Sequence, residues 1–249
     1  VSSARPERRE SRCQNRAGIL ASDPQMLAAA LSALSFSPQS PVVLATFDGS
    51  ATDRKWHVTN DPVMGGQSKS TFAVEDGVGK FSGKCAVVPF LKAPGFCNIG
   101  TERGLFTPAM FADASAFTRG SLYLTLKSST PAYKGFKVDF AAKNLTRPSG
   151  SLSHGGASLK ANFEVPAAAA TDFVTVKVPF SSFSVDWSDY TGECDTKDPD
   201  GYQHVCCDSA HPEVCPQAHH LAHITSIEVW AEGTAGEFNL ELKQIAAGP

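Results

Sequence analysis

The 249 residues are 42% hydrophobic and 19% charged, enough apolar material for a core, which excludes a disordered tail. Their 22 basic and 25 acidic residues sum to −3, so the basic footprint of a nucleic-acid binder is missing. The longest apolar run, 26–36, is broken and falls short of the roughly 18 residues a membrane-spanning helix needs, and 20 Gly, 16 Pro and 16 Phe against 3 Met point to short apolar segments between many turns.

The sequence begins at Val1 rather than Met, so a trimmed precursor or a fragment is expected. Residues 1–40 form a basic arm, in which Arg5, Arg8, Arg9, Arg12 and Arg16 outweigh Glu7, Glu10 and Asp23 to give +2 and leave −5 for residues 41–249. Asp23 and Pro24 read as N-cap and first helical residue, and Met26, Leu27, Ala30, Leu31 and Leu34 recur at helical spacing, which predicts a short amphipathic helix. That helix either covers an open end of the core or docks on a partner.

From residue 41 the pattern changes to strand-length apolar runs at 42–47, 70–74, 79–88, 121–127, 136–141, 158–165, 173–178, 224–231 and 237–245. Leu122, Leu124 and Leu126, and again Phe238, Leu240 and Leu242, alternate with period two, the mark of strands with one buried face. Nine strands without intervening helices predict an all-β sandwich or jelly roll over 41–249. Residues 186–223 interrupt this rhythm with a polar stretch rich in Cys and His, too long for an ordinary connection, and read as an insertion.

Cys194, Cys206, Cys207 and Cys215 all fall in that insertion. Disulfides in an oxidising compartment compete with a metal held by thiolates and nearby His204, His211, His219, His220 and His223; the adjacency of Cys206 and Cys207 lacks the C-x2-C spacing of a zinc chelate and favours disulfides. Cys85 and Cys97, placed by their spacing on neighbouring strands, are predicted to pair, leaving Cys13 in the arm as the odd cysteine.

The most distinctive stretch runs from Trp56 through Asn60-Asp61-Pro62 to Met64-Gly65-Gly66 and Ser68. Short polar side chains cap a turn there and the glycines allow close approaches, so it reads as a shaped loop. It lacks the glycine spacing that cradles phosphate. This stretch resembles the signature of the complex I intermediate-associated protein family, the thirty-kilodalton type. The likeness continues in order through Phe47-Asp48, Phe81-Ser82-Gly83, Gly95-Phe96, Tyr133-Lys134, Phe163, Val178-Pro179-Phe180 with Phe183, and Gly236-Glu237-Phe238-Asn239-Leu240. The family's usual Trp before the Pro-Phe-x-x-Phe element is replaced around 172–174, and the arm and the insertion are not family features. The resemblance implies a jelly roll similar to galactose-binding modules, acting by protein–protein binding in the assembly of respiratory complex I or, in plant relatives, of a photosystem.

The expected function is therefore that of a non-catalytic assembly factor or peripheral subunit of a membrane electron-transport complex, with Trp56, Asn60, Asp61, Pro62, Met64, Gly65, Gly66 and Ser68 as the shaped loop and the five arginines as a docking arm. Partners are subunits of a large membrane complex, with a peripheral membrane contact through the arm. No G-x-S-x-G or H-E-x-x-H motif is present, and neither catalytic residues nor a cofactor or metal is assigned. A helical pair at His219 and His223, a calcium-like turn at Asp198-Pro199-Asp200-Gly201 and the sequon at Asn144 each have a plainer reading as solvated loop or turn. The cysteines favour a thylakoid lumen over a mitochondrion. The alternative is a carbohydrate-binding module using Trp56, Trp230, Tyr133 and Tyr202 with an exposed Trp187 and Tyr190.

Overall fold

The computed structural model describes residues 39–61, 65–88, 95–102, 111–148 and 156–249. The helix expected at 26–34, the five arginines and Cys13, together with Pro62 and Met64, lie outside them. Among the described residues no helix is long and apolar enough to cross a membrane.

All nine predicted runs form strands, and two more join them. In chain order they are β1 Val42–Thr46, β2 Trp56–Asn60, β3 Lys69–Glu75, β4 Val78–Cys85, β5 Phe96–Thr101, β6 Ser121–Lys127, β7 Phe136–Ala142, β8 Leu159–Asn162, β9 Val174–Pro179, β10 Ile224–Glu232 and β11 Gly236–Gly248. β2 is the start of the distinctive stretch, so a segment expected to be loop begins as a five-residue strand. The turn from β3 to β4 shows how local sequence sets register. Asp76 and Gly77 both take positive φ, +52° and +73°, as a two-residue hairpin requires, and Glu75 then faces Val78.

Every ladder between these strands is antiparallel. Sheet A runs β3-β4-β11-β6-β9, with β1 also paired to β11; sheet B runs β2-β5-β10-β7-β8. The two form a jelly-roll sandwich. The inner face of sheet A supplies Phe81, Leu122, Leu124, Leu126, Phe238 and Leu240, and sheet B answers with Ile99, Phe136, Val138, Phe140, Ile227 and Val229, all buried. Phe238 meets Phe136 edge-on at 6.3 Å and Phe81 at 4.8 Å. Burying each such side chain contributes about 1.5–3 kcal/mol.

Cys85 and Cys97 correct the expectation that they pair. Both are buried free thiols. The link after β4 carries the chain from sheet A to sheet B, so the two residues belong to opposed sheets rather than to neighbouring strands. Cys85 Sγ instead donates to the carbonyl of Gly95 at 3.0 Å. Burial pushes both thiols up, Cys97 to about 11.

Candidate functional site

Alternation in sheet B sends its apolar residues into the core and leaves Lys137 and Asp139 of β7, Lys160 and Asn162 of β8, Glu228, Trp230 and Glu232 of β10, and Asn98 of β5 on the outer face. Such a row is normally wet. Here Lys160 and Glu232 are each only 4% exposed and Asp139 2%. Lys160 Nζ donates to Glu232 Oε2 at 3.0 Å and lies 3.8 Å from the ring centre of Trp187 and 3.9 Å from that of Trp230. Lys137 donates to Asn162 Oδ1 at 2.7 Å and closely contacts Glu193.

The insertion supplies the cover. Trp187 stands over Lys160, donates its indole N–H to the carbonyl of Ser158 at 3.0 Å, and carries the Arg147 guanidinium 3.9 Å from its ring centre. Arg147 also bonds the Trp187 carbonyl at 3.2 Å and Asp189 at 3.3 Å. Gly192, at φ +69°, approaches Glu232 so closely that a Cβ there would stand 2.2 Å from its carboxylate oxygen. A cleft of about 170 Å³ remains between the insertion and β8, lined by Lys160, Asn162, Ser182, Trp187, Gly192 and Glu193. Beneath the cover, Asp139 accepts from Ser158 Oγ at 3.1 Å, but its Oδ1 has no hydrogen-bond partner among the described residues. Burial, and next the nearby Glu228, hold its carboxyl well above the usual carboxylate range.

The insertion has its own polar centre. His204 Nδ1 lies 2.7 Å from Asp186 Oδ1 and Nε2 lies 2.8 Å from Asp198 Oδ2, with all three residues buried. Asp186 also accepts from the Val205 amide at 2.9 Å, and Tyr202 packs edge-on to the imidazole at 4.8 Å. Disulfides join Cys194 to Cys206 and Cys207 to Cys215, so adjacent cysteines tie the chain in opposite directions. Asp198-Pro199-Asp200-Gly201 is a turn, closed by the Gly201 amide on the Asp198 carbonyl at 2.9 Å. The short helix Ala218–Leu221 leaves His223 beyond its end, and among the described residues no group of three or more His, Cys, Asp or Glu side chains is arranged to hold a metal ion.

The distinctive stretch is placed as internal bracing. Trp56 stacks on Phe47 at 5.3 Å, and Asn60 exchanges bonds with Ser70, whose Oγ donates to Asn60 Oδ1 at 2.6 Å. Asp61 N–H reaches the Phe96 carbonyl at 3.0 Å, and a Cβ on Gly66 would collide with Asp61 at 2.3 Å. Gly65 takes φ +94°, and buried Ser68 accepts from the Ala86 amide at 3.0 Å. These residues join β2, β3 and the link after β4. They do not converge on the covered face of sheet B.

Nor do the aromatic residues form an open platform. Trp187, expected exposed, is 9% exposed because two cations pack on its ring; Tyr190 is 38% exposed as anticipated. The network of Lys137, Asp139, Lys160 and Glu232 was not anticipated from the sequence. The signal is present in the alternation of 137–140, 159–162 and 227–232, where charge falls between apolar residues, and in the acidity of the insertion, whose eight carboxylates stand against Lys197 alone.

A family model described as "Complex I intermediate-associated protein 30" matches residues 45–195. No curated protein sequence matches the chain. Among solved structures, the chain is similar to a family 11 carbohydrate-binding module from Clostridium thermocellum in complex with a mixed-linked tetrasaccharide, at 15% identity and TM-score 0.43, covering 83% of this chain and 94% of that one. It is also similar to an agarase at 12% identity and TM-score 0.44, and to an exo-beta-agarase at 14% and 0.39, each match covering 84% of this chain and 24% of the other.

Proposed function

The chain belongs to the complex I intermediate-associated protein 30 family, and from that premise we propose that it is a non-catalytic assembly factor or peripheral accessory subunit working by protein–protein binding on the complex I assembly line. The observation that carries the reading is the family match over residues 45–195, which takes in the braced stretch from Trp56 to Ser68 and most of the sandwich. In this reading the sandwich is a rigid platform, and the stapled insertion and basic arm give it a partner-specific surface. The two disulfides suit an oxidising compartment. The family's link with complex I directs the search first to mitochondria outside the reducing matrix, with the thylakoid lumen as the plastid counterpart.

Affinity capture of the intact chain from mitochondrial and plastid extracts under native conditions tests this. Complex I subunits should co-purify, and deletion of residues 1–35 should weaken their recovery without unfolding the sandwich. Recovery of the chain as a solitary monomer from every extract, or turnover of a small molecule by the purified protein, overturns it.

A further inference from the structure

The outer face of sheet A inverts the arrangement on sheet B. Alternation turns Lys69, Lys80, Lys84, Lys127, Lys177 and Lys243 outward along β3, β4, β6, β9 and β11. Glu75, Glu237 and Glu241 share that face, so six lysines against three glutamates leave +3 on a body that sums to −5. Lys80 is engaged by Glu75 at 2.6 Å, while Lys69, Lys84 and Lys127 make no ion pair among the described residues. On the other side of the sandwich, the insertion that covers sheet B carries −7, eight carboxylates against one lysine. Asp195, Asp200, Asp208 and Glu213 of these are exposed. Charge is therefore polarised through the thickness of the sandwich among the described residues.

The kind of cation on this face identifies the surface it fits. Arginine, whose planar fork recognises individual carboxylates on a folded partner, is absent from these strands, and lysine is a hydrated point charge on a flexible stem. Strands about 4.8 Å apart spread these charges over a sheet about 20 Å across. A broad array of adaptable point charges matches a fluid array of phosphates. We propose that the outer face of sheet A, centred on Lys69, Lys84 and Lys127, docks on an anionic phospholipid surface and holds the acidic insertion away from it, toward the aqueous side. Each basic residue at such a surface multiplies partitioning about fivefold, so a net of three charges gives roughly a hundredfold enrichment that is reversible and sensitive to salt. This goes beyond the proposed assembly role and does not depend on which complex is bound.

Co-sedimentation of the full chain with phosphatidylcholine vesicles, with and without phosphatidylglycerol, tests it. Binding should require phosphatidylglycerol and disappear near 0.5 M salt, where the Debye length is about 4 Å. Lys69→Glu, Lys84→Glu and Lys127→Glu together should cut partitioning more than about tenfold while circular dichroism and thermal unfolding stay as in the unsubstituted chain. Should that variant fail to fold, the corresponding three Lys→Gln changes should give a smaller loss in the same direction. Replacing the five arm arginines by Gln should leave most binding intact. The proposal is overturned if the unsubstituted chain ignores anionic vesicles, if the lysine variants bind as well as it does, if the arginine variant alone abolishes binding, or if the chain binds polyglutamate but no vesicle.

Discussion

The two outer faces of the sandwich are written in the same code, an apolar residue inward and a polar one outward, yet one is wet and the other covered. On sheet A Lys69, Lys84, Lys177 and Lys243 stand in solvent while Lys80 and Lys127 are half-buried, and even the Lys80–Glu75 pair, with side chains 43% and 58% exposed, is of the surface kind that is worth little. On sheet B the same chemistry is taken out of water by Trp187 and its neighbours, and Glu232 and two indole rings stand where the hydration of Lys160 would otherwise be. A polar outward position therefore does not mean an exposed one. What decides is whether a distant segment is tied down over it, and in this chain that segment is a stapled insertion.

The sharpest way to break the comparison is Lys160→Met. It leaves Glu232 buried without its cation beside Asp139, and should cost about 3–5 kcal/mol in urea unfolding. Lys160→Met with Glu232→Gln should recover a large part of that loss. A single-variant loss below about 1 kcal/mol would mean the covered face is not held by its charges. Next, Cys194→Ser with Cys206→Ser removes the staple next to Glu193 and should cost about 2–3 kcal/mol by loop-closure entropy. Hydrogen exchange should rise across 186–206 while β6 and β11 stay protected. Uniform loss of protection would show that the cover and the sandwich unfold as one unit.

The smallest effect is a pH profile. Asp139 holds its proton in the native state to higher pH than the ordinary value of about 3.9 in the unfolded chain. Its contribution is therefore fully present below that ordinary value and is lost as pH rises through the native one. Asp139→Asn keeps the Ser158 contact within reach and should flatten this decline above about pH 4. A variant whose stability falls with pH as steeply as the unsubstituted protein's would move the origin of the slope elsewhere.

What could be read in advance follows from how local each signal is. Leu122, Leu124 and Leu126 announce β6 because period two needs only neighbours, and Asp76-Gly77 sets its hairpin for the same reason. β2 escaped because Asn60-Asp61-Pro62 is turn chemistry at its end, and β5, marked only by the spacing of Cys97 from Cys85, is missing from the nine runs because Cys97-Asn98-Ile99-Gly100 mixes polar and small residues into a short run. The anomaly of 186–223 was legible from its length, but its role as a cover was not. Lys160 meets Glu232 across 72 residues of sequence, and Lys137 meets Glu193 across 56. No pattern within either segment encodes the other. The mistaken Cys85–Cys97 pairing has the same origin, since spacing along the chain does not reveal a change of sheet.

β11 is 13 residues long and sits in the middle of sheet A, where it pairs with β1, β4 and β6. Its Ala247 lies opposite Val42, so one of the earliest described segments waits for one of the latest. Vectorial synthesis cannot finish this sheet piecemeal: until residues 236–248 have left the ribosome, three strands lack their shared neighbour and their inner leucines and phenylalanines face solvent. Such non-local closure is slow. A chain built this way would remain threadable through a translocation pore for longer than one made of local hairpins, and would depend on holdase chaperones during that interval.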